Sequence, residues 1–344
     1  MRTTWIAGLV LATAGLAHGG AADKKLDVYW IDTEGGAATL LVTPAGESVL
    51  IDTGNPARPG EEPRDAKRIH KVATEVAGLK RIDHLVTTHY HVDHFGGAAD
   101  LAQLMPIGTV YDNGDLNGRE KPTKAYLEFK ADKRVVINPG DALPVKNPDG
   151  GTGPKLTIQC IATRQQTMPP PADAKVNFVP EPRRKPEDYS DNANSVVQVV
   201  RFGDWRMYVG GDVTWNAEEK LVSPVNLVGP VDVYQVAHHG LDVSNNPLVI
   251  KACQPTVAVM ANGPTKGCMP ETVATIRSTD SIVGIYQLHK NLRPREEKSN
   301  VPDEFIANGP KECAGNHVRL AVEPDGKAYT VSIPATKHEQ RYET

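Results

Sequence analysis

Apolar positions recur with a period of two over several short stretches near the start of the chain, and turn residues separate them. Leu26-Asp27-Val28-Tyr29-Trp30-Ile31-Asp32, Ala38 to Thr43 and Ser48 to Ile51 each carry the strand pattern, joined through Glu34-Gly35-Gly36 and Pro44-Ala45-Gly46. Short strands linked by Gly- and Pro-bearing turns predict an antiparallel meander. The period then changes. From Arg64 to Leu79, Ala66, Ile69, Val72, Ala73 and Val76 fall on one helical stripe with Lys and Arg opposite, which predicts an amphipathic helix lying on a sheet. His70 lies on its solvent side. Ile82 to Val86 returns to the strand period.

Beyond residue 101 the pattern loosens. Thr109 to Asp112 and Arg134 to Ile137 read as short strands, with Asn138-Pro139-Gly140-Asp141 as a turn, and Leu156 to Ile161 reads as another strand. From Gln165 to Ser190, Pro169-Pro170-Pro171, Pro180, Pro182 and Pro186 deny regular structure, so a long loop is expected there. Its Arg183-Arg184-Lys185 triplet reads first as a solvated face and second as an anion receiver. Ser195 to Phe202 and Trp205 to Val209 form a hairpin pattern, and Val231 to Ala237 is a buried strand. Past His289 the chain is rich in Pro and charge until a last hairpin, Val318 to Val322 and Ala328 to Ile333, around Pro324-Asp325-Gly326.

The candidate chemistry sits at strand ends. Directly after Ile82–Val86 comes Thr87-Thr88-His89-Tyr90-His91-Val92-Asp93-His94-Phe95-Gly96-Gly97, with three imidazoles and a carboxylate in six positions. Neutral imidazole nitrogens and carboxylate oxygens are the ligands of a borderline cation such as Zn²⁺. His89 and His91, two apart on extended chain, face one metal, and Asp93 and His94, after the chain turns, face a second. Asp52-Thr53-Gly54, Gly210-Gly211-Asp212 and His238-His239-Gly240 end three further strands.

This ordered set resembles the metallo-β-lactamase superfamily. The stretch Val28 to Gly54, Asp191-Asn192-Ala193-Asn194-Ser195, Gly211-Asp212, and His238-His239-Gly240 with Ser244 are similar to its ComEC type, over roughly residues 25 to 290. The resemblance implies an α+β, four-layer αββα sandwich. It implies two Zn²⁺ ions, or other divalent metals, held by His89, His91, Asp93, His94, Asp212 and His239, with Asp212 shared and Asp52 orienting the metal loop from beneath. Many members add a histidine near a Gly-Ser pair. Asp191 to Ser195 stands in its place here, which leaves Asp191 or Asn194 as candidates at the first metal. The implied chemistry is hydrolysis by a metal-activated hydroxide, with Asp93 and His238 as catalytic residues and His238 as leaving-group acid or oxyanion binder. A phosphodiester or other ester is the expected substrate. A lactonase or β-lactamase-type hydrolase, or a catalytically weak metal-binding protein of the same fold, are the alternatives.

Bulk properties trim this picture. The 344 residues are 40% hydrophobic and 23% charged, and the net charge of −4 gives no global field for nucleic acid or anionic membrane. Arg2, the apolar run from Trp5 to Ala12, Leu16-Ala17 and small residues through Ala22 predict a secretory signal over residues 1 to 22, with a periplasmic or secreted domain over 23 to 344 and no span after signal removal. The 165–190 loop and an extension after about 290 are then additions to one domain. In an oxidising compartment Cys160, Cys253, Cys268 and Cys313 can pair, and Cys268 with Cys313 is the expected bridge, with Cys160 a buried apolar residue.

Overall fold

The computed structural model describes residues 20–115, 118–147, 153–176, 183–311 and 313–344. Strands β1 (Leu26–Trp30), β2 (Thr39–Val42) and β3 (Ser48–Ile51) form the expected meander, with Val28 opposite Leu41 and Leu40 opposite Leu50. Helix α1 (Arg64–Lys71) follows and runs on into one wide helical turn, Val72–Val76, before β4 (Ile82–Val86) pairs parallel with β3. Ala66, Ile69, Val72 and Ala73 are buried as the periodicity predicts, but Val76 is 38% exposed. The wide turn, closed by Ala77 N–H to the Val72 carbonyl, adds a residue to the turn and rotates Val76 off the stripe.

Short helices α2 (Val92–Phe95) and α3 (Ala98–Leu104) lead to β5 (Ile107–Asp112), and α4 (Lys124–Glu128) leads to β6 (Lys133–Val136), completing a parallel run from β3. The second sheet begins with β7 (Leu156–Thr163) and the two-residue β8 (Gln166–Thr167), the latter inside the segment expected to be loop throughout. It continues with β9 (Val197–Phe202), β10 (Trp205–Val209), α5 (Trp215–Glu219), β11 (Val233–Gln235), α6 (Pro247–Cys253), β12 (Val257–Met260), α7 (Pro270–Arg277), β13 (Gly284–His289) and β14 (Ile306–Asn308). β15 (Val318–Val322), β16 (Ala328–Ile333) and β17 (His338–Glu343) return to the first sheet, where β15 pairs antiparallel with β1. The extension after residue 290 therefore completes both sheets, ending one with β14 and flanking β1 in the other.

Most of the central strands are buried on both faces. Val28, Trp30, Leu41 and Ile51 of the first sheet meet Val200, Phe202, Met207 and Val259 of the second. The alternate residues Tyr29, Leu40 and Leu50 pack outward on Ile69, Ala73 and Leu101, while Val199, Tyr208 and Ala258 pack outward on Ile250, Val273 and Ile276. Helix, sheet, sheet, helix is the αββα sandwich. Elements from α6 to β13 escape the sequence reading because doubly covered strands lose the polar alternation that marks a half-exposed one. No helix among the described residues is long and apolar enough to cross a membrane. The signal expected over residues 1 to 22 lies almost wholly outside the described residues; Gly20–Ala22 form a short 3₁₀ turn.

All four cysteines are free, which overturns the expected Cys268–Cys313 bridge. The two thiols face different partners. Cys268 Sγ is buried 3.1 Å from Gln287 Nε2, whereas Cys313 Sγ lies 2.8 Å from Asp32 Oδ2.

Glu218 of α5 is fully buried; one carboxylate oxygen accepts from Asn246 N–H at 2.7 Å and the other has no partner. Burial pushes its pKa up to about 8, against the pull of the Asn246 and Asn245 backbone N–H groups and of Lys185. The folded state then holds a proton that the unfolded chain releases near pH 4.3, so stability falls as pH rises between those values. The expected loss is about 1.4 kcal/mol per pH unit across pH 5 to 7.5. Urea unfolding over that range checks it, and Glu218→Gln should flatten this component of the profile.

Candidate metal centre

Four chain segments converge where β3, β4, β10 and β11 end. Past β4 the chain bends at His89 and Tyr90 where the sequence reading expected extended chain, His91 is extended, and the helix α2 from Val92 carries Asp93 and His94 to the other side. The glycines of the motif serve close approach, since both have negative φ. A Cβ on Gly96 would overlap the Val92 carbonyl and Pro56, and one on Gly97 the Thr53 carbonyl.

The second sheet brings Asp212 off β10 and His238-His239 off β11. Both histidines have positive φ, 53° and 56°, a costly state for residues with a Cβ. Asn245 holds the strained turn by accepting from Ala237 N–H and donating to the Ala237 and Leu241 carbonyls, and His238 N–H donates to the Gly211 carbonyl. The two imidazoles part there. His239 Nδ1 bonds the Ala261 carbonyl at 2.9 Å and leaves Nε2 facing inward; His238 Nδ1 lies 3.1 Å from Ser244 Oγ, and its Nε2 lies 3.3 Å from Asp212 Oδ2.

Ligand atoms of Asp93, His94, Asp212 and His239 all lie within 4.8 Å of one another. His94 Nε2 is 3.1 Å from Asp212 Oδ2, and His239 Nε2 is 3.3 Å from Asp93 Oδ2. His89 stands just outside that group, its buried Nε2 3.9 Å from Asp212 Oδ2 and without a hydrogen-bond partner. An orphaned buried nitrogen facing a carboxylate, among inward-facing imidazoles, fits a metal ion. His91 is more open, with its ring centroid 4.7 Å from that of His89 and its Nε2 3.9 Å from Glu120 Oε1. Asp52 does sit beneath the loop: it accepts from Thr88 N–H and Oγ1–H, and its Oδ2 lies 2.8 Å from His94 Nδ1. That bond leaves His94 Nε2 for the centre, a carboxylate–histidine arrangement typical of metal sites.

Charge follows the crowding. Burial raises the Asp212 pKa, but His238, His94 and His239 outweigh it and hold the carboxyl well below its ordinary range. Burial acts the same way on Asp93 and is outweighed by His94, His239 and Lys266. His94 is raised despite burial by Asp212, Asp52 and Asp93, whereas burial drives His89 well down. Burial also takes His238 down to about 4 against the pull of Asp212, so its ring is neutral near pH 7 in the metal-free protein.

Three placements differ from the sequence reading. Asp191 accepts from Tyr90 N–H at 2.5 Å and from Asn113 and Asn194 side chains, so it bolts the metal loop to the second sheet, and Asn194 is spent on Asp191. Arg183 and Lys185 pair with Glu271 at 2.8 and 2.9 Å; Arg183 and Arg184 are largely exposed, as the solvated-face reading expects, and only Lys185, which also lies over Trp215, is turned to structure. The cation at the centre is Lys266, whose Nζ bonds Asp93 Oδ2. It follows β12 in Pro264-Thr265-Lys266-Gly267, a turn at a strand end whose position beside Asp93 only the fold reveals. Next to it an open cleft of about 760 Å³, lined by Asn55, Arg58, Arg64, Val92, Pro264 and Thr265, reaches the metal loop.

Comparison with known proteins agrees with this geometry. The family model described as Metallo-beta-lactamase superfamily matches residues 32–159. A UPF0173 metal-dependent hydrolase of Cupriavidus taiwanensis is 29% identical over 164 residues, 46% of this chain and 50% of that protein. Competence protein ComA of Neisseria gonorrhoeae is 26% identical over 67% of this chain and 26% of its own length, and ComE operon protein 3 of Bacillus subtilis is 24% identical over 62% and 25%. The matches to the UPF0173 proteins span half of those relatives or less. Residues 32–159 thus match a metallo-β-lactamase superfamily domain, the motif order and the αββα sandwich agree with that match, and the ComA and ComE operon protein 3 similarities support a ComEC-like relationship.

Proposed function

We propose that this protein is a metal-dependent hydrolase that holds two zinc ions and cleaves a small phosphodiester or another anionic ester. The observation that carries the reading is the gathering of Asp93, His94, Asp212 and His239 within 4.8 Å, with the orphaned His89 Nε2 beside them. His89, His91 and Asp212 would hold one ion and Asp93, His94, Asp212 and His239 the other. Bound zinc supplies hydroxide near neutral pH and polarises the oxygen under attack. Similarity to the Cupriavidus protein, named a metal-dependent hydrolase, supports the reaction class.

The chain's own groups do the positioning. Asp52 and the Ala261 carbonyl fix the rings of His94 and His239, so their Nε2 atoms need no reorganisation. His238, its Nδ1 near Ser244 and its Nε2 3.3 Å from Asp212, orients the shared carboxylate and can bind an oxyanion. Lys266 lies at the mouth on Asp93, and with Asp93 serving as a metal ligand its ammonium would be available to a substrate anion. The chain's acidic balance favours a small anionic group over long duplex DNA.

Saturating zinc should place two ions per chain at this centre, counted by elemental analysis as the difference from an Asp212→Ala variant, the first bound more weakly because it lacks a third histidine and His91 is open to solvent. His239→Ala should abolish both tight binding and turnover, while His238→Ala lowers kcat by about 10–100-fold. One ion at this centre at saturation, unaffected by His89→Ala, would leave a catalytically weak binding protein as the reading.

Lys266→Ala should raise KM about tenfold for bis(p-nitrophenyl) phosphate, because the variant has no ammonium to hydrogen-bond the anion, and leave a neutral ester unchanged. Fast nitrocefin or lactone turnover with the phosphodiester untouched would overturn the substrate class.

Export is part of the proposal. Gly20 is buried against Val42 and the Thr43 carbonyl, and its own carbonyl accepts from Lys24 N–H at 2.6 Å, so a cut after Ala22 would remove packed residues. Mass spectrometry of protein recovered from the envelope should find a mature N-terminus between Ala17 and Gly20; an intact Met1 in the exported form would exclude cleavage.

A further inference from the structure

A second group of ligand-type side chains lies apart from the centre and shares no residue with it. Asp32 leaves the end of β1, His289 ends β13, and Cys313 lies between β14 and β15; their ligand atoms all fall within 4.8 Å. Cys313 Sγ is 2.8 Å and His289 Nε2 3.8 Å from the same oxygen, Asp32 Oδ2. Asp32 and His289 are only 1% and 3% exposed. Neither ring nitrogen of His289 has a hydrogen-bond partner. A buried imidazole is rarely left wholly unpaired, because stranding its polar atoms costs more than most single interactions return.

From this juxtaposition we infer a mononuclear site for a zinc-type divalent cation, held by Asp32, His289 and the Cys313 thiolate. The donor set is the one that a borderline metal takes, and no magnesium or calcium site would use the sulfur. Zinc bonds of roughly 2.3 Å to sulfur and 2.0 Å to nitrogen and oxygen place tetrahedral ligand atoms about 3.3–3.5 Å apart. The observed 2.8 and 3.8 Å straddle that spacing, so shifts of about 0.5–0.7 Å bring these two pairs to it, with all three ligand atoms already within 4.8 Å of one another. Binding releases the thiol proton to solvent. A dication then meets one carboxylate and one thiolate, and Arg68, whose Nη1 lies 3.4 Å from the same Asp32 Oδ2, keeps Glu34 as its nearer partner at 2.8 Å. Cys313 is half-exposed, which leaves a side for a water as fourth ligand.

The site would tie together three segments far apart in sequence. Asp32 Oδ1 accepts from Glu34 N–H, and in the same loop Ala37 N–H donates to the Asp93 carbonyl, so a cation here braces the loop on which Asp93 rests. The inference stands whether or not the hydrolase reading does, because the main centre holds no sulfur ligand.

Cobalt(II) titration of the metal-free full chain tests it. Thiolate ligation gives an intense near-ultraviolet charge-transfer band that histidine and carboxylate ligands do not. At saturation the band should have the amplitude of one thiolate-ligated ion per chain, vanish in Cys313→Ser and His289→Ala, and persist in His239→Ala. Peptide mapping of the unmutated protein gives an arm that needs no variant: zinc should protect Cys313, alone among the cysteines, at least tenfold against iodoacetamide. Cobalt uptake without the band, a band surviving in Cys313→Ser, or Cys313 alkylation unchanged by zinc would each overturn the site.

Discussion

Asp212 is a carboxylate with 2% of its surface exposed, and the arrangement around it depends on keeping it charged there. Burial alone would protonate it; the neighbouring imidazoles, with His94 and His239 both raised toward the charged form, reverse that. A buried charge persists only when its compensation is close and fixed. The compensating rings come from both sheets, so the centre forms only when the two sheets are docked with their strand ends in register. The strained turn at His238-His239 belongs to the same requirement. Its left-handed backbone is what sends one imidazole toward Asp93 and the other toward Ser244.

The covering of the sheets explains where chemistry can appear. Helices lie on both outer faces and the sheets on each other, so polar groups have few sites along the central strands and collect where those strands end. This is why the metal loop, Asp52 and Asp212 are legible in sequence: each follows directly on a recognisable apolar run. It is also why Lys266 and Asp191 are not legible as what they are. Lys266 follows β12, a four-residue run with no polar alternation, and its proximity to Asp93 comes from an ion pair across 173 residues. Asp191 is visible as a ligand-type residue, but only the fold shows it spent on Tyr90 N–H, 101 residues away.

The tail hides its role for a related reason. A Pro- and charge-rich stretch reads as an appendage, yet β15 is the antiparallel neighbour of β1, with Val28 opposite Leu320. Pairing of that kind has no local signature, because what makes Val318–Val322 a buried strand is a partner almost three hundred residues before it. The helix after residue 64 shows the converse. Its stripe holds up to Ala73, and one wide turn then displaces Val76, a backbone adjustment that side-chain periodicity does not encode.

Local charge also outranks the global balance. A chain of net charge −4 repels long polyanions at a distance, while a site meets its substrate through the few charges within a Debye length. Here the conspicuous basic triplet is committed to Glu271, Glu219 and Trp215, and its charge is largely cancelled where it stands. Lys266 is committed too, but to Asp93, a carboxylate in the metal-ligand group. A cation taking Asp93 would compete directly with that ammonium. The same event that completes the centre would therefore free a positive charge at its mouth, coupling metal occupancy to anion recognition through a single carboxylate.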